Sequence, residues 1–394
     1  MQPLLPEGPA ANGLVELAAT LVEESLALGA AAGALAPALR PLLRAMNSYY
    51  TNQIEGQHTR PSDIARALEK RFDADAELAR KQRLAIAHMA AEIELEPVFA
   101  AMSSPERYRP PAVSRVHEAL YSRLPPRERR TDVGSIISPG ALRQVDVTAG
   151  HHSAPPHRAV AALLEHWGAR YGALPGREQP IVGAACAHHR LLWIHPCPDG
   201  NGRTARLHLH LTLAALGLLH GPWSPLRGIA RDRAQYYARL NNADLPRRND
   251  LDGRGALSEE ELIRFASWLL GVCVDQCRFM RGLLSLGGLR ARLHELLSSL
   301  AAQPWTLGSE RSVVKLEALE PLHYVALAGP VDRARFLAMT GLAPRTARRV
   351  LASLLHYGVL TETSPRSPVA FAVPLASLRH LFPRLWPEAE AELV

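Results

Sequence analysis

The chain has 394 residues, a length that suits two or three domains with substantial hydrophobic cores. Its 45 Lys and Arg residues exceed its 38 Asp and Glu residues by seven, and this modest positive charge is weak evidence for nucleic-acid binding. Only Lys70, Lys81 and Lys315 are lysines, so the chain lacks the Gly-Lys-Ser/Thr sequence of a P-loop and that class of ATPase is excluded.

The N-terminal composition and the cysteines indicate a compartment. Residues 1–13 lack the basic start and apolar run of a signal peptide, and no uncharged stretch reaches the length of a membrane span. The four cysteines, Cys186, Cys197, Cys273 and Cys277, form no disulfide framework. We therefore expect a reducing compartment, the cytosol, and no membrane partner. The preference for arginine, with abundant alanine and proline, is typical of a GC-rich bacterial genome.

Helical periodicity dominates from about residue 14 to residue 276 and predicts a mainly α protein. Within it, residues 48–56 have a helical pattern that ends at Gly56, a residue typical of helix C-caps. Thr51 and Glu55 lie four residues apart on one face of this helix. Because a carboxylate near a helix C-terminus is electrostatically disfavoured, we expect Glu55 to have a cationic partner.

A hairpin is predicted for residues 143–156, which read RQVDVTAGHHSAPP. Val145 and Val147 alternate with polar residues and predict a short strand before a turn containing Gly and Pro. An alternative is a zinc site drawn from His151, His152, His188, His189, His195 and Cys197. No CxxC or HExxH spacing supports it, so we favour the hairpin.

The most informative segment is residues 195–206, HPCPDGNGRTAR. His195 follows the apolar run 191–194, the buried end of a helix, and an imidazole there can serve as a general base near neutral pH. Asp199 lies in a turn that two prolines make non-helical. A carboxylate beside phosphates usually binds Mg²⁺, so Asp199 is the candidate metal ligand.

The second half of this segment is suited to an anion. A Gly-Asn-Gly turn lets backbone N–H groups point inward, and the helix predicted from Arg203 to about residue 218 directs its positive end at the same place. Arg203 and Arg206 lie three residues apart on one helix face. The candidate phosphate-binding residues are Gly200, Asn201, Gly202, Arg203 and Arg206.

Residues 195–206 resemble the signature of the Fic family, HxFx(D/E)GNGRxxR, at seven positions: His195, Asp199, Gly200, Asn201, Gly202, Arg203 and Arg206. The departure is Cys197, which replaces a phenylalanine and would leave the loop looser. The resemblance implies a protein adenylyltransferase. Such an enzyme transfers AMP from ATP to a Ser, Thr or Tyr hydroxyl of a target protein and of itself, with His195 as base and Asp199 binding Mg²⁺.

The resemblance also assigns roles elsewhere in the chain. Thr51, Glu55 and Gly56 match the (S/T)xxxE(G/N) motif of family members with an N-terminal inhibitory helix, which implies that Glu55 pairs with Arg206 and keeps it from the γ-phosphate. The hairpin would clamp the target segment by strand pairing. Tyr236 and Tyr237 lie after the signature helix, at the position of the adenine-contacting tyrosines of many Fic proteins. Because adjacent residues point in different directions on a helix, we expect one tyrosine to contact adenine and the other to be in the core. A homodimer is a further implication.

Residues 250–261 have acidic residues and a glycine at spacings that resemble a calcium loop. Arg254 occupies a ligand position and would oppose a cation. We therefore prefer the alternative, in which Ser258 and Glu261 form a capping box that opens a helix.

The C-terminal part predicts a winged helix. A helix over residues 331–339, a tight turn and a second helix over residues 344–357 precede two short strands. In a winged helix the second helix normally enters the major groove. Arg345, Arg348 and Arg349 would face outward there as candidate DNA contacts, but such modules also mediate dimerisation or protein docking, and a basic face alone does not decide between these uses.

The predicted organisation is therefore an N-terminal helical region over residues 1–110 with its inhibitory helix at 48–56, a Fic core with a β-hairpin flap over residues 111–286, and a winged helix over residues 287–394. Two alternatives to the adenylyltransferase stay open. One is a bifunctional enzyme that also removes AMP. The other is a DNA-binding transcriptional regulator whose core senses nucleotide. A kinase-like relative is disfavoured because the Gly-Asn-Gly turn is intact.

Overall fold

A computed structural model describes residues 1–57, 59–131, 134–150, 152–219, 222–284, 286–307 and 310–385. The protein is mainly helical, as predicted, and each pairing of named strands joins only two short strands. Among the described residues, no single helix is long and apolar enough to cross a membrane, although Pro9–Ala32 and Leu35–Ile54 pass that test together as a pair bent by 116°.

The N-terminal region contains six helices: α1 (Asn12–Ala32), α2 (Leu35–Ile54), α3 (Pro61–Leu68), α4 (Ala76–Ala101), α5 (Ser104–Arg107) and α6 (Pro110–Tyr121). Helix α2 is longer than the helix predicted for residues 48–56, because its apolar pattern begins at Leu35 and Pro41 is accommodated inside it. Its C-terminus is as predicted. Glu55 is the C-cap residue and Gly56 follows with φ +76°, the left-handed conformation that glycine adopts most readily.

The central region contains a hairpin and six helices: β1 (Thr148–Ala149), β2 (His152–Ser153), α7 (Val160–Tyr171), α8 (Glu178–Ile194), α9 (Asn201–Ala215), α10 (Leu226–Arg231), α11 (Arg233–Ala243) and α12 (Glu259–Leu283). The hairpin is present, but the strand predicted around Val145 and Val147 begins only at Thr148. The physical reason is that the guanidinium of Arg143 binds the carbonyl of Val145 at 3.0 Å, which fixes this backbone without a strand partner, and the Val145 side chain is exposed.

Helix α9 lies at the centre of the fold. It packs against α2, α4, α6 and α8, and nearly every residue from Asn201 to Leu213 is buried. A helix surrounded on all sides is normally apolar, yet α9 buries two arginines and two histidines. Buried polar groups need partners, so these side chains mark the places where chemistry or binding can occur.

The loop before α12 forms one half of the predicted capping box, because the Ser258 N–H donates to the Leu245 carbonyl at 2.9 Å instead of to the Glu261 side chain. The Ser258 hydroxyl accepts a hydrogen bond from the Glu261 N–H. The Asp252 carboxylate, a ligand in the calcium alternative, accepts hydrogen bonds from the Ser258 hydroxyl and the Glu260 N–H, both at 2.9 Å. This carboxylate therefore contributes to the helix N-terminus.

The C-terminal region contains α13 (Leu286–Ala302), β3 (Thr306–Leu307), β4 (Glu310–Arg311), α14 (Leu319–Ala328), α15 (Arg333–Met339), α16 (Pro344–Tyr357), β5 (Leu360–Thr361), β6 (Ala370–Phe371) and α17 (Leu378–Leu381). Helix, turn, helix and antiparallel strand pair follow in the order that the sequence predicts from residue 331. Helix α16 buries an apolar face, while Arg345, Arg348 and Arg349 are exposed.

Candidate active site

His195 lies where α8 ends and the signature loop begins. Its backbone is left-handed, with φ +50° and ψ +59°, an uncommon conformation for a residue with a side chain. The buried Arg143 supports it: Nε donates to the His195 carbonyl at 2.7 Å, and the same guanidinium also donates to the carbonyls of Ile194 and Pro155. These bonds join the base of the flap to the loop and hold the strained residue in place.

The His195 imidazole is neutral at physiological pH. Burial is the main cause that lowers its pKa to about 4, and the neighbouring positive charge of His152 contributes in the same direction. A neutral imidazole has a free lone pair. His195 can therefore accept a proton, as a general base must.

The Asp199 turn is held by His117, a residue that the sequence interpretation did not include. Its Nδ1 accepts from the Gly140 N–H at 2.8 Å, so Nε2 carries the proton and donates to the Asp199 carbonyl at 3.2 Å. The Asp199 side chain is half-buried, and one of its oxygens accepts the Gly200 N–H. Among the described residues, no cationic side chain forms an ion pair with Asp199.

Asn201 has a structural role that differs from the predicted one. Its amide oxygen accepts the Cys197 N–H and its amide nitrogen donates to the Cys197 carbonyl, both at 2.8 Å. The side-chain amide is thus bonded inside the loop, and the Asn201 backbone N–H stands at the start of α9. Cys197 itself is buried, so the thiol occupies the core position of the loop and the Asn201 amide closes the turn around it.

The start of α9 forms an anion cradle. Gly200 has φ +73°, and a Cβ atom there would collide with the Tyr121 hydroxyl. Arg203 is 5% exposed and stacks over the Tyr121 ring, with 5.9 Å from its guanidinium carbon to the ring centroid. Nε and Nη1 of Arg203 and the Tyr121 hydroxyl are buried and have no hydrogen-bond partner among the described residues. Buried donors of this kind at a helix N-terminus fit an anionic ligand.

Arg206, in contrast, is bonded to α2 through Nε and Nη2. Its Nε donates to the Thr51 hydroxyl at 2.9 Å, and Nη2 donates to the Thr51 carbonyl at 3.2 Å and to the Glu55 carboxylate. Burial alone would raise the pKa of Glu55, but the charges of Arg206 and Arg203 hold that pKa below its ordinary value. The carboxylate is therefore ionised. A Cβ atom at Gly202 would collide with it, so this glycine lets Glu55 approach α9.

The end of α2 is also bound from the other side of the cavity. The Ile54 carbonyl accepts hydrogen bonds from Arg233 Nε at 2.7 Å and from the Tyr237 hydroxyl at 3.0 Å. Tyr237 is half-buried beside the cavity. Tyr236, which the sequence analysis grouped with it, is a core residue: it is fully buried and its hydroxyl is bonded to His188 at 2.9 Å.

A model of the Fic/DOC family matches residues 109–213, which contain the signature loop, the flap and α9. The fold agrees over a wider range. A Fic family protein from Desulfovibrio desulfuricans G20 superposes on 95% of this chain and 99% of its own, with a TM-score of 0.56 and 18% sequence identity. The protein contains a Fic domain.

Relatives of known name are similar to parts of this chain. Protein adenylyltransferase Fic of Drosophila grimshawi is 30% identical over 181 residues, which are 44% of this chain and 35% of that protein. Protein adenylyltransferase fic-1 of Caenorhabditis elegans is 46% identical over 66 residues, 17% of this chain and 12% of that protein. The matches thus span about a third or less of the length of these relatives.

The flap of the Fic domain is joined to the core by His152. Its Nε2 lies 2.8 Å from the Trp193 carbonyl and its Nδ1 lies 3.0 Å from Asp244 Oδ2. Both neighbours are acceptors, so both ring nitrogens carry protons and the ring is cationic. Burial opposes this charge, but the Asp244 carboxylate raises the pKa of His152 above its ordinary value. His151, the other flap histidine, lies outside the described residues.

A cavity of about 470 Å³ joins these groups, within the range of roughly 300–1,000 Å³ of small-molecule sites. Its lining comprises Glu55, Ala149, Gly150, His152, His189, Leu192, Trp193, His195, Gly202, Arg206, Tyr236, Tyr237, Leu240, Asn241 and Asp244. The Fic-domain signature supplies only part of this wall. Asp244, His152 and Arg143 were not identified as site residues from the sequence, because no local motif marks them and only the fold brings them beside His195.

Proposed function

We propose that the protein is an adenylyltransferase that moves AMP from ATP to a hydroxyl group of a protein side chain. The observation that carries this proposal is that segment 195–206 contains both a neutral imidazole, at His195, and a buried guanidinium, at Arg203 near the start of α9, whose Nε and Nη1 lack hydrogen-bond partners among the described residues. A base and an anion cradle at this separation in the chain suit transfer from a phosphate ester. The names of the Drosophila and Caenorhabditis relatives support the same activity.

In the proposed reaction the hydroxyl oxygen of the target attacks the α-phosphorus of ATP. A new oxygen–phosphorus bond forms, the bond from the α-phosphorus to the bridging oxygen breaks, and pyrophosphate leaves. His195 takes the proton of the attacking hydroxyl. Backbone N–H groups at Gly200–Gly202, together with Arg203 and Arg206, stabilise negative charge on the phosphates. Positioning and electrostatics would supply most of the rate enhancement.

Asp199 is the residue that would hold Mg²⁺ in this reaction. The donor set fits: the carboxylate is half-buried, its Oδ1 accepts only a backbone N–H, and no described cationic side chain competes for it. Mg²⁺ prefers one or two carboxylates together with waters and phosphate oxygens. When bound, the ion would neutralise phosphate charge, and the protein groups described above would perform the remaining steps.

We further propose that the described conformation is autoinhibited. Arg206 is buried, and α2 supplies three acceptors for it: the hydroxyl and carbonyl of Thr51 and the carboxylate of Glu55. A guanidinium held in this way is not available to the γ-phosphate. Release requires the end of α2 to move away from α9.

The test is intact-protein mass spectrometry after incubation with ATP and Mg²⁺. Glu55→Gly is expected to gain one AMP moiety, and Glu55→Gly combined with His195→Ala is expected to gain none. An adduct that forms equally in both proteins would refute the role of His195. If neither protein is modified and neither modifies proteins of a cell extract, the transferase proposal fails.

Two alternatives predict different results. A bifunctional enzyme would use Glu55 to align a water, so purified AMP-modified protein would lose its adduct only when Glu55 is present. A nucleotide-sensing regulator would bind ATP and DNA, and its function would survive His195→Ala. The Arg203 donors that have no partner among the described residues are compatible with nucleotide binding in all three cases, so the fate of the AMP group is the measurement that separates them.

The exposed arginines of α16 favour DNA as a second partner. We propose that Arg345, Arg348 and Arg349 contact DNA phosphates in the manner of a winged helix. The full-length protein should then bind a fluorescent duplex with an affinity that falls steeply between 50 and 200 mM salt, as about three phosphate contacts predict. Arg348→Ala should weaken this binding, whereas Arg158→Ala, an exposed arginine beside the flap, should not. Absence of binding at low salt would refute the proposal.

A homodimer is the remaining proposal about partners, and it rests on the family resemblance. Analytical ultracentrifugation of the full-length protein tests it. A mass near 43.0 kDa at all concentrations would exclude the dimer.

A further inference from the structure

A second polar cluster lies on the opposite side of Arg206 from the nucleotide cavity, between α2, α4 and α9. Glu92 and Glu96 are one turn apart on α4 and face His210 on α9. His210 Nε2 lies 3.5 Å from Glu92 Oε1 and 3.8 Å from Glu96 Oε1. One ligand atom from each residue lies within 4.8 Å of the other two.

The two carboxylates are oriented by residues of α2. Asn47 donates to Glu92 Oε2 at 3.1 Å, and Arg44 donates to Glu96 Oε2. The outer oxygen of each carboxylate is therefore occupied, and the two Oε1 atoms lie near His210, with Glu92 Oε1 also 3.7 Å from Arg44 Nε. Metal ligands in proteins are typically fixed in this way by hydrogen bonds from a second layer of side chains.

His210 supplies the independent observation. It is 4% exposed, and neither of its ring nitrogens has a hydrogen-bond partner among the described residues. Its distances of 3.5 and 3.8 Å to the carboxylates exceed the roughly 2.7–2.9 Å of a charged hydrogen bond. In a tetrahedral site with metal–ligand bonds of about 2.0–2.2 Å, two ligand atoms lie about 3.3 Å apart. The two distances from His210 Nε2 to the carboxylate oxygens are close to that value. The three atoms surround a point that a small ion can occupy.

We propose that Glu92, Glu96 and His210 bind one divalent transition-metal ion such as Zn²⁺, separate from the Mg²⁺ of the nucleotide site. Two carboxylates and one imidazole are a common ligand set for such ions. A neighbouring cavity of about 340 Å³ provides room for a water as a further ligand. Glu96 is partly exposed, which gives the ion a path from solvent.

The position of this site links it to α2. Arg44 and Asn47, which orient the two carboxylates, lie on the same helix as Thr51 and Glu55, and residues 47, 51 and 55 follow at intervals of four. A bound ion would fix the carboxylates to which α2 is hydrogen-bonded, and would thereby strengthen the docking of this helix. The metal site itself does not depend on the proposed transferase activity; only the regulatory consequence does.

The test uses full-length protein freed of metal by a chelator and then titrated with Co²⁺, whose visible absorption reports its ligands. We expect one Co²⁺ per chain with ligand-field bands that Zn²⁺ abolishes. Glu92→Gln and His210→Gln should each lower the affinity at least tenfold. Glu94→Gln is the matched control, because Glu94 lies on the same helix, pairs with Arg123 and is outside the cluster. It should bind as the unsubstituted protein does.

Several results would overturn the proposal. One is that the unsubstituted protein binds less than one Co²⁺ per chain. Another is that Glu92→Gln, His210→Gln and the Glu94→Gln control bind Co²⁺ with equal affinity. If circular dichroism shows that Glu92→Gln or His210→Gln has not folded, Glu96→Gln is measured instead, because Glu96 is the partly exposed ligand. Unchanged Co²⁺ affinity in Glu96→Gln would also overturn the proposal.

The link to α2 has a separate test: Zn²⁺ should slow amide hydrogen exchange in residues 47–54. Unchanged exchange with the metal bound would refute the link. Neither readout requires AMP transfer.

Discussion

Replacement of Glu55 by glycine is the most direct test of how α2 controls the site. The substitution removes the carboxylate that binds Arg206 but leaves the two contacts from Thr51. The backbone at Glu55 has φ −79° and ψ 3°, which glycine adopts without strain. The variant therefore removes one contact of Arg206 without straining the backbone, and the end of α2 can move away from α9 more readily.

The size of the effect follows from the contact that is lost. A hydrogen bond to a charged group contributes about 1.5–3 kcal/mol, and about 1.4 kcal/mol corresponds to a tenfold change in an equilibrium. Arg206 is 1% exposed at its side chain, whereas that of Glu55 is 28% exposed, so water replaces part of the lost interaction. The fraction of molecules with Arg206 available should rise about ten- to hundredfold, and the initial rate of self-modification should rise with it.

The assay is the initial rate of AMP incorporation, measured by mass spectrometry at saturating ATP. Glu69→Gly is a matched control, because Glu69 is the C-cap residue of α3, and it should leave the rate unchanged. Glu55→Gln, which keeps an acceptor but loses the charge, should give an intermediate rate. If Glu55→Gly binds ATP and is labelled no faster than the unsubstituted protein, the autoinhibition argument is wrong.

Three further predictions concern single groups. Tyr237→Phe removes one of two donors to the Ile54 carbonyl, a loss of about 0.5–1.5 kcal/mol. The rate of AMP incorporation at saturating ATP should therefore rise about two- to tenfold. An unchanged rate would show that this hydrogen bond does not hold α2. Because the pKa of His195 is lowered to about 4, its imidazole stays neutral above about pH 5. The rate of AMP incorporation by Glu55→Gly should therefore be constant from pH 8 to 6. A pH–rate profile with its midpoint near the ordinary histidine pKa of 6.5 would contradict this. Gly168→Ala would push a Cβ atom into a facing backbone carbonyl and should lower the free energy of unfolding by about 1–3 kcal/mol. In Gly271→Ala the new Cβ atom meets none of the described residues within 4 Å, so the free energy of unfolding should stay unchanged or rise by up to about 1 kcal/mol. Equal urea midpoints for the two variants would refute the packing argument.

Local signals account for the elements that the sequence predicts well. The apolar run before His195, the Gly-Asn-Gly turn and Gly56 each act within a few residues, because backbone conformation and helix ends depend on neighbouring side chains. The capping role of Ser258 is confirmed for the same reason. The strand expected at Val145 begins later, because the nearby Arg143 guanidinium takes the Val145 carbonyl while it is held by the distant carbonyls of Ile194 and His195.

Roles that depend on distant partners could not be assigned in this way. One nearby partner was also not predicted: the Asn201 amide closes the loop around Cys197. Tyr236 and Tyr237 are adjacent and chemically identical and both line the cavity, and only the packing of α11 decides that the first is fully buried and the second half-buried. Asp244 gave no local signal at all, although it binds the flap through His152.

By itself the sequence determined that the protein is mainly helical, that it carries the Fic signature between His195 and Arg206, and that a glutamate ends an earlier helix. These properties reside in short segments, where spacing and residue type restrict the backbone directly. The family resemblance implied that Glu55 pairs with Arg206, and the tertiary structure brings the two together across 151 positions of sequence. Only the tertiary structure decided that Glu92 and Glu96 face His210. Contacts between distant segments depend on how whole helices pack around α9, and the side chains of one segment alone do not specify that packing.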